Sequence, residues 1–299
     1  MNILYYDNCW FTNVGEAFID IGAMGLIKNI FPEANIACCS NMSEYYCLDK
    51  VKNLQMSDMF YKYFDCDYFI LAGMMATEGH LASREADMVR YFRSRGAKII
   101  YLGLGSGLYS EQERNAFSAY LENIKPELVM TRDKYTFDIY KNIVSCIEGI
   151  DCAFWVRDCF NPKGFAKKHY NIISFNRSKE PTEIALRYKN QEILRLWHMQ
   201  YSIKEKNISP NTIVSDSPYD YLTLYANASE VCTDLVHATI VSLMYEIPVK
   251  YWYVDRRIEA IDELRNLKKQ DGWLHIDNDS LEKQKKEIVN EITKTLARK

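Results

Sequence analysis

One histidine in this 299-residue chain stands where proton chemistry can be done. It is His237, in the run Thr233-Asp234-Leu235-Val236-His237-Ala238. Val231-Cys232 reads as a short buried strand, 235–245 carries a helical pattern, and Pro248 opens another strand. Thr233 or Asp234 is the expected cap of that helix, both being preferred cap residues. His237 then falls in the first turn of a helix, just past the carboxyl end of a strand. Helix amino ends carry spare N–H groups and a partial positive charge. The position suits an anionic ligand, with an imidazole ready to donate or accept a proton. Two plainer roles stand beside this one: a histidine at a helix start can be structural, and Asp234 can be either a cap or a charged residue of a cleft.

Other residues offer matching chemistry. Glu16 and Asp20 lie four apart on a helical pattern and share a face. They suit general-base work on a sugar hydroxyl, or simply the amino-end dipole. Gly103-Leu104-Gly105-Ser106-Gly107 reads as a glycine loop able to wrap a phosphate or sugar. The spacing is not that of a dinucleotide fingerprint, because position 108 is leucine, so no nicotinamide cofactor is expected. Arg177 follows the strand 171–175 and could reach a cleft as an anion-binding cation, with Arg132 and Arg84 as further candidates; a surface ion pair is the plain alternative for each.

The elements that must position these groups alternate. Strands are expected at 3–6, 36–40, 68–72, 98–102 and 128–131, with helices over 13–30, 85–95, 111–123 and 132–141. A second set has strands at 171–175, 212–215, 231–232 and 249–252, helices over 183–199, 219–228 and 235–245, and a charged tail helix over 280–299. This alternation predicts α/β architecture with parallel sheets. Asn161-Pro162-Lys163-Gly164 is loop chemistry and places a linker within 158–168. Two Rossmann-like domains of similar size are expected, 1–165 and 166–299. Open sheets bind ligands at the carboxyl ends of their strands. Two such sheets facing a cleft would gather the loops 7–16, 73–79 with 103–107, and 215–237.

Composition bounds the partners. A net charge of −3 gives no general attraction to nucleic acid. No apolar run is long enough to span a bilayer, and MNILYYDNCW lacks the basic start and apolar centre of a signal peptide. Nine scattered cysteines without a C-x-x-C pair read as reduced thiols, and no metal site is expected. A cytoplasmic protein is expected. The tail cations Lys283, Lys285, Lys286, Lys294, Arg298 and Lys299 add the alternative of contact with the inner face of a membrane, against a plain solvated face.

The ordered set of motifs resembles the polysaccharide pyruvyl transferase family. It comprises Asn13-Val14-Gly15-Glu16, Ala72-Gly73-Met74, Gly103-Leu104-Gly105, Thr131-Arg132-Asp133, Ile150-Asp151-Cys152-Ala153-Phe154, the block 220–248, and Tyr253-Val254-Asp255-Arg256-Arg257. The chain departs from the family pattern at Glu16 (Asp in the family), at Gly73 (a run of glycines), at Ile247 (Gly before x-Pro), and at Leu235, where the family has Arg two residues before the histidine. The resemblance implies a GT-B-like fold. It implies transfer of an enolpyruvyl unit from phosphoenolpyruvate, as a ketal, to a sugar of an envelope, capsular or exopolysaccharide precursor. No cofactor beyond that donor substrate is implied. His237 is then the acid, and Glu16 and Asp20 are catalytic residues that face the acceptor. Arg177, Arg256, Arg257, Thr233 and Asp234 face the donor. Asn13, Gly15, Gly73, Gly103 and Gly105 face a glycan or lipid-linked acceptor. Two alternatives remain open: a nucleotide-sugar glycosyltransferase, and a non-catalytic relative that binds a glycan or a partner protein.

Overall fold

In the computed structural model the described residues are 1–8, 13–40, 63–199, 203–204, 208–252, 261, 264 and 267–298. They form two compact units: Met1–Asn8 with Leu26–Cys152 and Lys286–Lys299, and Cys9–Gly25 with Ala153–Lys285. Beyond the division after Asn8, one falls inside the helix Val14–Ile30 at Gly25, one between Cys152 and Ala153, and one inside the tail helix Asn278–Ala297 at Lys285. The expected linker at 158–168 lies wholly within the second unit, its start in a short helix, Val156–Cys159.

The first unit is built on β1 (Asn2–Asp7), β2 (Asn35–Ser40), β3 (Tyr68–Ala72), β4 (Met75–Ala76), β5 (Lys98–Ser106), β6 (Leu128–Thr131) and β7 (Cys146–Glu148). The sheet order is β2-β1-β3-β5-β6-β7, every pairing parallel, with β4 beside β5. β5 is buried at all but its first residue, as a strand covered on both faces must be. One layer of core joins Leu4, Phe69, Ile99 and Val129 from the sheet to Val89 and Phe92 of the helix Arg84–Ser94. Phe69 and Phe92 stack with ring centres 4.7 Å apart.

The second unit is built on β8 (Asn171–Ser174), β9 (Ile193–Leu196), β10 (Thr212–Ile213), β11 (Val231–Thr233), β12 (Val249–Tyr251), β13 (Leu267–Gln270) and β14 (Trp273–Ile276). The order is β10-β9-β8-β11-β12-β14-β13, parallel as far as β12 and closed by an antiparallel hairpin. Three helices matter to the site. They are α1 (Val14–Ile30), whose residues to Gly25 belong to this unit, α2 (Pro218–Ala226) and α3 (Val236–Met244).

Three expectations are corrected. The helix foreseen over 183–199 is a short helix, Thr182–Arg187, a turn, and then β9. Polar Lys189-Asn190-Gln191 ends the helix, and ladder partners in β8 and β10 override any helical preference of Ile193–Leu196. The glycine loop at 103–107 is mostly strand: β5 runs on to Ser106 through an irregularity between Leu102 and Leu104, where Gly103 takes a φ of 70°. The tail helix Asn278–Ala297 does not carry all its lysines to solvent. Lys285 is buried and pairs with Asp158 and Glu282, so it offers nothing to a membrane. The β13–β14 hairpin went unforeseen although Asp271-Gly272, both at positive φ, is a strong two-residue turn signal.

Candidate active site around His237

The strand-to-helix turn after β11 forms as the sequence suggests, with His237 the second residue of α3. Its neighbours do different work from that expected. Neither Thr233 nor Asp234 caps the helix; Leu235 holds the cap position and makes no side-chain cap bond. The Thr233 hydroxyl donates to the Ser174 carbonyl at 2.9 Å and accepts from the Leu235 amide at 3.0 Å. The Asp234 carboxylate, fully buried, turns to the loop that follows β8. It accepts from the amides of Asn176 (3.0 Å), Arg177 (3.0 Å) and Ser178 (2.6 Å), and from the Ser178 hydroxyl (2.9 Å). A buried charge is tolerated only when its lone pairs are so occupied. Asp234 therefore fixes the loop bearing Arg177, whose side chain is exposed.

The amino end of α1 approaches the same histidine. Asn13 acts as its cap: the side-chain oxygen accepts from the Gly15 amide at 3.1 Å, and the side-chain nitrogen donates to Glu16 at 3.2 Å. A Cβ on Gly15 would lie 2.9 Å from His237 Nδ1 and 3.2 Å from its Cβ, so only glycine allows this approach. Asn13, Gly15 and His237 are thus brought together. Glu16 sits with them, half-buried and engaged in the cap, whereas Asp20, one turn on, is buried at 1% exposure. Glu16 and Asp20 do not form the equally accessible pair of bases that their spacing suggested.

A second histidine, His198, went unnoticed because its segment reads as helix. It lies two residues past the end of β9 and is 1% exposed. Its carbonyl accepts from the Val14 amide at 3.0 Å, its amide donates to the Asn176 side-chain oxygen at 2.7 Å, and its Nε2 lies 2.8 Å from the Tyr225 hydroxyl. Phe18 and Tyr221 pack edge-on against the ring. Burial, with a smaller contribution from the charge of His237, pushes its pKa down to about 3. His198 is therefore a neutral imidazole that ties together α1, the loop after β8 and α2 beside His237. The sequence carried no local signal for it, because the strand before it depends on ladder partners in β8 and β10.

The glycines foreseen for the acceptor lie in the first unit, at the ends of β3 and β5. Gly73 and Gly103 both adopt positive φ, and the Gly73 amide donates to the Leu102 carbonyl. A Cβ on Gly105 would stand 2.2 Å from Arg132 Nε, so Gly105 makes room for that guanidinium. Arg132 is buried and pairs with buried Asp151 at 3.6 Å, while Asp133 caps the helix Lys134–Tyr140. Asp7, at the end of β1, was missed. Burial pushes its carboxyl up to about 7, and its Oδ1 is buried with no hydrogen-bond partner. Arg256 and Arg257 lie outside the described residues. Among the described residues no group of three or more His, Cys, Asp and Glu could hold a metal ion.

The polysaccharide pyruvyl transferase family model matches residues 13–249, from the cap of α1 to the start of β12. The chain belongs to the polysaccharide pyruvyl transferase family. Among solved structures it is similar to UDP-GlcNAc 2-epimerase from Methanocaldococcus jannaschii, with 10% identity and a TM-score of 0.54 over 88% of this chain and 87% of that one. It is also similar to UDP-GlcNAc 2-epimerase from Neisseria meningitidis bound to UDP-GlcNAc, with 11% identity and a TM-score of 0.51 over 88% and 85%. At such identities the likeness concerns fold, which is GT-B-like with two mainly parallel α/β sheets. No curated protein matches the chain. The family match covers the whole His237 site, including Leu235. That side chain is 7% exposed and packed inward. Among the described residues no helix is long and apolar enough to cross a membrane.

Proposed function

We propose that this family member transfers the pyruvate unit of phosphoenolpyruvate to two hydroxyls of a sugar in a polysaccharide precursor, forming a ketal. The observation that carries the reading is the meeting of the amino ends of α1 and α3 at one half-buried imidazole, with a neutral histidine beside it. Phosphoenolpyruvate brings phosphate and carboxylate together, and helix amino ends favour such charge.

In this scheme His237 delivers a proton to the donor methylene carbon. The positive charge that develops at C2 is taken by one sugar hydroxyl, and a second hydroxyl then displaces phosphate. His198, being neutral, adds no charge beside the reacting groups. Arg177, on the loop anchored by Asp234, supplies a cation in place of the one absent at Leu235, with Arg256 and Arg257 as further donor-side residues. Asn13 and Gly15 shape the approach to His237, Thr233 holds the turn, and Glu16, with Asp20 behind it, is the base nearest the acid. In the first unit Gly73, Gly103 and Gly105 mark the carboxyl ends of β3 and β5, where an open sheet takes a ligand, and are the acceptor-side positions. The scheme needs no metal step, and the reading places the chain at the cytoplasmic side.

The test is incubation of the protein with phosphoenolpyruvate and a lipid-linked glycan extract, following phosphate release and the mass of pyruvylated sugar. Release that depends on both substrates and is lost in His237→Ala supports the reading. Inward packing of Leu235 favours one rival, a non-catalytic relative. For that rival neither product forms, and glycan binding persists in His237→Ala.

A further inference from the structure

The second unit carries a loop whose construction serves neither its core nor the His237 site. Residues 163–169 read Lys-Gly-Phe-Ala-Lys-Lys-His. One side-chain oxygen, Asn227 Oδ1, accepts from three successive amides: Gly164 (2.8 Å), Phe165 (3.0 Å) and Ala166 (3.3 Å). Asn227 is held in turn, its nitrogen donating to the carbonyls of Pro162 and Thr223, both at 2.8 Å. Gly164 takes a φ of 89°, which lets the chain double back at the tip. The loop is thus fixed in shape, and the shape presents Phe165 outward at 76% exposure.

The charges around that ring are unbalanced. Lys163 is matched by Glu246, which also receives Arg157. Lys167, Lys168 and His169 are exposed, and among the described residues none of them makes an ion pair. The nearest acid in sequence, Asp158, is held by buried Lys285. The tail helix differs: its exposed lysines are interspersed with Glu282, Glu287 and Glu291.

We propose that the loop 163–169 is a membrane-contact site for anionic lipid headgroups, with Phe165 entering the headgroup–acyl boundary and Lys167 and Lys168 meeting the lipid charge. An aromatic ring framed by lysines suits that boundary, where apolar burial and attraction to anionic lipid act together. A rigid loop loses little conformational freedom on contact. A soluble polyanion would use the lysines but leave the ring idle. The site is independent of the reaction proposed above.

Flotation of the full chain with vesicles tests the proposal, using phosphatidylcholine alone and phosphatidylcholine mixed equally with phosphatidylglycerol. Binding is expected to the mixed vesicles only, and to weaken as salt is raised. Lys167→Gln with Lys168→Gln should weaken it about 30-fold, each lysine being worth about fivefold near an anionic surface. Phe165→Ser should weaken it on the order of tenfold while leaving the salt dependence in place. Asn227→Ala, which frees the loop, should also weaken it, and unchanged melting temperatures exclude unfolding of the first two variants. The proposal is overturned if the mixed vesicles are not bound. It is equally overturned if the lysine changes act but Phe165→Ser does not, the mark of a soluble polyanion site, or if only Lys283→Gln with Lys286→Gln on the tail helix abolishes binding.

Discussion

The carboxyl edges of the two sheets use similar residues to opposite ends. At the edge of the first sheet the residues with chemical potential are spent on one another. Gly105 lies under the Arg132 guanidinium, Arg132 pairs with Asp151, and Asp133 caps a helix. At the edge of the second sheet the buried polar groups are spent on loops and helix ends: Asp234 on the turn after β8, His198 on α1. What they leave half-open is His237. A glycine or an Arg-Asp pair in a motif thus says little until its partners are known. The informative feature is which titratable side chain the others surround without neutralising.

The largest expected effect sharpens this contrast at the second edge. His237→Ala should reduce turnover by about 10²–10⁴-fold, the usual worth of a positioned acid, with little change in melting temperature. An equal loss in Arg132→Lys would erase the distinction between the edges. Next come the two crowded glycines. Gly15→Ala pushes against an imidazole and should lower turnover on the order of 10²-fold through misplacement of His237. Gly105→Ala pushes against a buried guanidinium and should instead cost about 1–3 kcal/mol of stability, read from urea unfolding. Similar profiles for the two variants would contradict the assignment of Gly15 to the placement of His237 and of Gly105 to the room it leaves for Arg132.

The edges also differ in the sign of their pH response. His198 has a folded pKa of about 3, below its value of about 6.5 in the unfolded chain. The unfolded state therefore binds more protons between those values, and stability falls as pH drops from 6.5 towards 3, by about 1.4 kcal/mol per unit inside the window. Asp7 has the reverse relation, its carboxyl raised from 3.8 to about 7, so it favours folding at low pH and loses that contribution as pH rises through 7. Urea midpoints between pH 5 and 6.5 should accordingly change little with pH in the parent, where the two slopes oppose each other, fall with rising pH in His198→Phe, and rise in Asp7→Asn. Parallel curves for all three proteins would show that neither group is held in the state its burial requires.

The parallel α/β architecture, and His237 at a strand-to-helix turn, were legible in sequence because burial on both faces and helix periodicity are local patterns. The residues that surround His237 were less so. Asp234 has the composition of a cap, and only the packing of β8 beside β11 reveals three amides waiting for its carboxylate. His198 was hidden because Ile193–Leu196 becomes a strand through ladder partners distant in the chain. Gly15 carried its motif openly, yet its reason is steric and lies in another element, the ring of His237. The family resemblance located Asp234 and Gly15 without supplying their reasons, and it did not locate His198.

The most direct measurement is a calorimetric titration of phosphoenolpyruvate into the intact protein, alongside His237→Ala and Arg177→Ala. The account predicts saturable binding to the parent, weakened about tenfold or more in each variant by loss of a charge-assisted contact. Parent and variants binding equally, or no saturable binding with or without a glycan extract present, would contradict it.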